Sequence, residues 1–105
     1  MGNSFGKDIL IQARDATAAA AFYVEQLGFT ITDPNPGMIA LQGNNINLYI
    51  EPGPPLSPVL EVTVANVAEA ASRLVENGCE IVKDEPDFPR IYIKDPNGLI
   101  YNLTD

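Results

Sequence analysis

Residues 8–28 read DILIQARDATAAAAFYVEQLG and residues 59–78 read VLEVTVANVAEAASRLVENG. Each stretch is a strand, then a capped helix, then a glycine stop. In the first, Ile9 and Ile11 alternate with Asp8, Leu10 and Gln12, the period-two pattern of a strand with one apolar face. Asp15 then offers a side-chain oxygen to the unpaired amides of a helix start. Ala18 to Ala21 favour helix, and Leu27-Gly28 ends it. Phe22, Tyr23 and Leu27 are expected to supply the apolar stripe of that helix. In the second stretch Val59 to Val64 is the strand, Asn66 the cap, Ala70, Leu74 and Val75 the stripe, and Asn77-Gly78 the stop. Val59 stands 51 positions after Asp8, and Asn66 stands 51 after Asp15. The chain therefore writes one unit twice.

Three further strands fit after each helix. In the first half they are Phe29 to Thr32, Met38 to Gln42 and Ile46 to Glu51, separated by Asp33-Pro34-Asn35-Pro36-Gly37 and Gly43-Asn44-Asn45. In the second they are Cys79 to Lys83, Ile91 to Lys94 and Leu99 to Leu103, with Asp95-Pro96-Asn97-Gly98 as the last turn. The closing strands correspond, Ile46-Asn47-Leu48 matching Tyr101-Asn102-Leu103. The reading is an α+β fold of two tandem βαβββ modules in one domain, residues 1–105. Module 1 spans about 7–51, a stiff proline-rich linker spans 52–58, and module 2 spans about 59–105.

Alternation assigns the faces. Ile9, Ile11, Ile39, Leu41, Ile46, Leu48, Ile50, Leu60, Val62, Val64, Ile91, Ile93, Tyr101 and Leu103 should point at the helices, each burial worth roughly 1.5–3 kcal/mol. The opposite face carries Asp8, Gln12, Gln42, Asn47, Tyr49, Glu51, Glu61, Thr63, Arg90, Tyr92, Lys94 and Asn102. So polar a face is either solvated outright or lines a wet cavity.

Composition narrows the function classes. The chain has 105 residues, 46% of them hydrophobic, with 14 acidic and six basic residues for a net charge of -8. That balance argues against nucleic acid and against an anionic membrane surface, both of which ask for a basic patch. No apolar run approaches the roughly 18 residues of a membrane span. Met1 to Lys7 lack the apolar core of a secretion signal, so a cytoplasmic location is expected. Cys79 is the single cysteine and there is no histidine. A disulfide within the chain is excluded, and the thiol, with no imidazole to activate it, is expected to be buried and inert. Ser4, Ser57 and Ser72 likewise lack a histidine base, and no Gly-rich phosphate loop or nucleophile elbow is present.

Asp15, Phe22-Tyr23 and Leu27-Gly28-Phe29 resemble the first-helix signature of the glyoxalase, bleomycin-resistance and extradiol-dioxygenase superfamily, the vicinal oxygen chelate group. Asp95-Pro96-Asn97-Gly98 before the final strand resembles its "DPxG" turn. The resemblance runs from about Asp8 to Leu103. It implies curled mixed sheets forming a cleft, and a divalent metal held by one residue from each of four strands. Motif spacing carries those ligands to Asp8, Asn47, Val59 and Asn102. Asp8 could hold a hard cation and asparagine could add its carbonyl, but Val59 ligates nothing. A chain without imidazole also lacks the donors that favour Fe, Ni or Zn. The resemblance is thus closest to the metal-free bleomycin-resistance branch, and no metal or cofactor is expected.

Within that reading Asp8, Gln12, Asn47, Tyr49, Glu61, Arg90, Tyr92 and Asn102 are the candidate ligand-binding residues. Glu61 and Glu51 could sit hydrated at the rim, bind a cation, or share acid–base work. Tyr49 and Tyr92 could stack on a flat or cationic ligand or simply cover the sheet. Arg90 and Lys94 could receive an anion or stay solvated. The expectation is a small-molecule-binding homodimer, its ligand small and cationic or aromatic, with a drug-resistance role. The alternative is a divergent lyase or isomerase with an atypical or absent metal site, and no catalytic residue is assigned.

Overall fold

The computed structural model describes residues 4–85 and 90–105; Met1 to Asn3, part of the stretch read for a secretion signal, lie outside them. Contacts divide the chain into two compact units, residues 7–58 and residues 1–6 with 59–105.

The first unit is built from most of β1 (Ser4–Ala13), α1 (Ala16–Leu27), β2 (Thr30–Asp33), β3 (Ile39–Gln42) and β4 (Asn47–Pro52). Its strands lie in the order β2-β3-β4-β1, with β1 and β4 parallel and the other pairs antiparallel. A helical crossover is what allows β1 a parallel neighbour, and short turns suffice for the rest. Asp15 Oδ1 accepts from the Ala18 amide at 3.0 Å to start α1. Gly28 ends it at φ 78°, a left-handed position, its amide turned back to the Tyr23 and Val24 carbonyls. Ile39, Leu41, Leu48 and Ile50 form the core with Ala16 and Ala20, and Ile9, Ile11, Tyr23, Val24 and Phe29 pack around it.

The expected α1 stripe is corrected here. Ala16, Ala20, Tyr23 and Val24 recur at helical spacing and face the sheet, whereas Phe22 lies off that stripe and is 54% exposed. Leu27 is in phase with it but occupies the final turn and is 64% exposed. Small alanines at the contact bring α1 close to the sheet, where the sequence suggested large aromatics.

The second unit repeats the plan with most of β5 (Leu56–Thr63), α2 (Val67–Glu76), β6 (Glu80–Glu85), β7 (Arg90–Lys94) and β8 (Ile100–Thr104), ordered β5-β8-β7-β6 with β5 and β8 parallel. Asn66 Oδ1 accepts from the Glu69 amide at 2.9 Å. Val62, Val64, Ala70, Ala71, Cys79, Ile93 and Leu103 form the core, flanked by Val67, Leu74, Ile91 and Tyr101. Val75, expected in the α2 stripe, is 44% exposed. Within each unit the four strands form an open ladder not closed on itself. Strand structure reaches Pro52 and resumes at Leu56, leaving only Gly53, Pro54 and Pro55 between strands. Among the described residues no helix is long and apolar enough to cross a membrane.

Candidate functional site

In the first unit β1 sends Ile9 and Ile11 toward α1, so alternate residues emerge on the other face. There the parallel register stacks Asp8 against Asn47, Leu10 against Tyr49 and Gln12 against Glu51. β3 adds Gln42 beside Asn47 and Ala40 beside Tyr49. Asn47 Nδ2 donates to Asp8 Oδ1 at 2.9 Å, and Gln12 Nε2 donates to Glu51 Oε1 at 3.1 Å. Asp8, Gln12, Asn47, Tyr49 and Glu51 are all half-buried. Four of the expected ligand-binding residues, Asp8, Gln12, Asn47 and Tyr49, thus share one face, and each carboxylate on it is held by an amide one strand away.

In the second unit the corresponding face has a different texture. One row is Val59, Ile100 and Lys94; the next is Glu61, Asn102, Tyr92 and Lys83. Val59 and Ile100 are 2% and 4% exposed, so the first row is largely apolar and covered. Tyr92 is 1% exposed, with Lys83 Nζ and the Arg90 guanidinium carbon each 5.6 Å from its ring centroid. Cations over an aromatic face gain from the ring quadrupole. Tyr92, expected either to stack on a ligand or to cover the sheet, is a buried ring beneath two cationic side chains. Arg90 also meets Glu85 at 3.5 Å. Glu61 and Asn102 are direct neighbours across the ladder, and Asn102 Oδ1 is buried with no hydrogen-bond partner among the described residues.

The register revises one expected correspondence. Asp8 pairs with Asn47 in the first unit, but Asn102 pairs with Glu61, and Val59 pairs with Ile100. The acid–amide pair recurs in both units, two residues further along β5 than the repeat in the sequence suggests. Lys83 was not among the residues expected on this face. A register shift in the β6–β7 ladder between Ile81 and Lys83 turns it there, and nothing in the sequence marks that bulge.

The superfamily's divalent metal does not fit these residues. Asp8 Oδ1 already accepts from the Asn47 amide, Val59 offers only a buried isopropyl group, and the remaining two positions are uncharged asparagines. Among the described residues no group of three or more His, Cys, Asp or Glu side chains could hold a metal ion.

Two other features lie off this face. The Asp95 turn is closed by its own side chain: Asp95 Oδ1 accepts from the Asn97 and Leu99 amides at 2.9 and 3.0 Å, and Tyr101 Oη donates to Asp95 Oδ2. The Tyr101 hydrogen bond, with those amides, holds the Asp95 carboxyl below its ordinary value. Burial, with the adjacent carboxylate, pushes the Tyr101 phenol up to about 12. The sequence marks 95–98 as a turn but gives no sign that Tyr101 reaches back to it. A cavity of about 530 Å³ also opens where α2 begins and the β6–β7 strands end, lined by Val67, Asp84, Glu85, Arg90, Ile91 and Thr104 among others. Neither Glu61 nor Asn102 is among its lining residues.

Residues 7–102 match the Glyoxalase/Bleomycin resistance protein/Dioxygenase superfamily. None of the curated proteins matches the chain. Among solved structures, a superfamily member from Vibrio splendidus 12B01 is 15% identical over 97% of this chain and 100% of that one, with a TM-score of 0.65. The hypothetical protein BH1468 from Bacillus halodurans C-125 is 18% identical over 98% and 94%, with a TM-score of 0.64. Homoprotocatechuate 2,3-dioxygenase from Arthrobacter globiformis is 21% identical over 95% of this chain and 35% of that one, with a TM-score of 0.58. At such identities the likeness is one of fold.

Proposed function

The chain belongs to the glyoxalase/bleomycin resistance protein/dioxygenase superfamily, and from that membership we propose that it binds a small organic molecule without a transition metal. Its ligand lies against a polar sheet face and is held, not transformed. The observation that supports this reading is the fate of the donor set. Asp8 is hydrogen-bonded to Asn47, and Val59, a packed aliphatic, stands where a ligand would be needed. Polar groups that remain on these faces suit hydrogen bonding to a molecule more than coordination of Fe, Ni or Zn. In this reading the protein resembles the bleomycin-resistance branch in role, sequestering a cationic or aromatic compound as a cytoplasmic homodimer, with antibiotic resistance as the benefit.

Thermal melting with EDTA, then with Mg, Mn, Ni, Zn and Ca in turn, tests the reading. The expected result is no shift beyond about a degree, since a ligand that favours the native state must raise the melting temperature. A rise of several degrees with one metal, lost in Asp8→Ala, would overturn it in favour of a divergent lyase or isomerase built on Asp8 and Glu61. Size-exclusion chromatography with light scattering reads the oligomeric state directly.

A further inference from the structure

We infer that Glu61 and Asn102 together receive an ammonium or amidinium group of the ligand, so that an organic N–H donor stands where relatives would hold a metal. The inference rests on the metal-free binding reading and deepens it by naming the ligand's chemistry. Its starting point is the Asn102 side-chain oxygen, buried without a hydrogen-bond partner among the described residues. Native structures seldom leave a buried acceptor unmade, and one that persists calls for a reason such as a waiting ligand.

The neighbour of that oxygen decides what the ligand must bring. Glu61 is its direct partner in the β5–β8 ladder, and residues opposite one another project to the same face. An ionised carboxylate accepts hydrogen bonds and donates none, and an amide oxygen does the same. Two adjacent acceptors, one of them anionic, call for a group with several donors and a positive charge. A primary ammonium has three donors and an amidinium has a planar fork, and either bridges the pair. An anion meets repulsion from Glu61 and no donor from Asn102 Oδ1.

The cations nearby do not cancel this preference. Lys83 lies in the same row but beyond Tyr92, two strand spacings from Asn102, roughly 10 Å. Its ammonium is already placed over the Tyr92 ring, 5.6 Å from the centroid. Arg90 is joined to Glu85 at 3.5 Å. The whole chain, at -8, adds a general attraction for a cation.

Benzylamine and benzamidine serve as probes, with benzyl alcohol and benzoate as matched controls lacking the charge or reversing it. At neutral pH the two cationic probes should raise the melting temperature by several degrees at saturation, and the controls should not. Asn102→Leu should abolish that shift and, without probe, should melt above the wild type, because it removes an unsatisfied polar atom and keeps the branched shape. A structural or water-bridged asparagine would give the opposite sign. Glu61→Gln should weaken the apparent affinity for benzylamine at least tenfold, and it carries the test if Asn102→Leu does not fold. The inference is overturned if the cationic probes give no shift, if Asn102→Leu melts below the wild type, or if the shift survives both substitutions. Shifts from benzyl alcohol equal to those from benzylamine would sink it while leaving the metal-free binding reading intact; a metal-dependent shift would sink that reading instead.

Discussion

Tyr101 donates its phenolic hydrogen to the Asp95 carboxylate across the turn that joins β7 to β8. The pair ties the first residue of a tight loop to a strand residue beyond it, while the other oxygen of Asp95 holds the Asn97 and Leu99 amides. Loop closure is thereby linked to two titrations of opposite sense.

The Tyr101 phenol is raised from 10.0 to about 12, chiefly by burial and then by Asp95. A raised value means the folded state favours the protonated form, so this contribution is whole below pH 10 and lost as pH climbs through about 12. Wild-type stability should therefore fall across that window more steeply than that of Tyr101→Phe. Urea melts at half-unit steps from pH 9 to 12.5 read the difference between the two slopes, and parallel slopes would refute the link. The Asp95 carboxyl is lowered from 3.8, first by the Tyr101 hydrogen bond. Its contribution is present above that value and disappears as pH falls through the folded one, so Asp95→Asn should flatten the acid limb and also soften the alkaline one by removing its share of the Tyr101 shift.

Gly43 is required by Phe29. A Cβ placed at residue 43 would stand 2.9 Å from Phe29 Cε1 and 3.3 Å from Cζ. An aromatic ring packed against the first core cannot retreat as the end of a flexible chain does. Gly43→Ala should cost about 1–3 kcal/mol, the usual range for overpacking. Adding Phe29→Leu should recover part of the loss, and chemical denaturation of the single and double variants shows whether it does.

The two helix caps offer a matched pair of measurements. Asp15 and Asn66 each accept from the amide three residues on, at 3.0 and 2.9 Å. Asp15→Ala and Asn66→Ala should each cost about 1 kcal/mol. Asp15→Asn should cost much less, because it preserves the acceptor. Equilibrium unfolding in urea decides, and a loss below a few tenths of a kcal/mol in either alanine variant would show that the cap is dispensable.

Tyr92→Ala should be far more damaging to folding than a change at a solvent-facing binding residue. The ring is 1% exposed and sits under Lys83 and Arg90. Removing a buried aromatic costs about 3–5 kcal/mol. A melting temperature close to wild type would contradict this and return Tyr92 to the role of an accessible ligand wall.

Local signals in the sequence suffice where the chemistry is local. Asp15, Gly28 and Asn66 mark helix ends because capping depends on residues within one turn. Ile9 with Ile11, Ile39 with Leu41 and Ile91 with Ile93 place faces because alternation is geometric. Alternation says which side a residue faces, however, and not whether that side is covered, so it gives no sign that Tyr92, Val59 and Ile100 are buried. Cross-strand partners were the other gap. Asp8 and Val59 are 51 apart, yet Asn47 and Asn102 are 55 apart, so the halves differ by four residues after their helices. Only the hydrogen-bond ladder shows that Glu61, not Val59, meets Asn102.

Cys79, the single cysteine, lies 9% exposed among the core residues of the second unit, and the first unit has no thiol at all. The molecule thus carries its own reporter of native-state opening. The rate at which a small alkylating reagent modifies Cys79 below the unfolding transition counts excursions of one half of the duplicated chain alone. Set against global unfolding, that rate tells whether the two copies of the βαβββ unit melt as one cooperative body or come apart in turn.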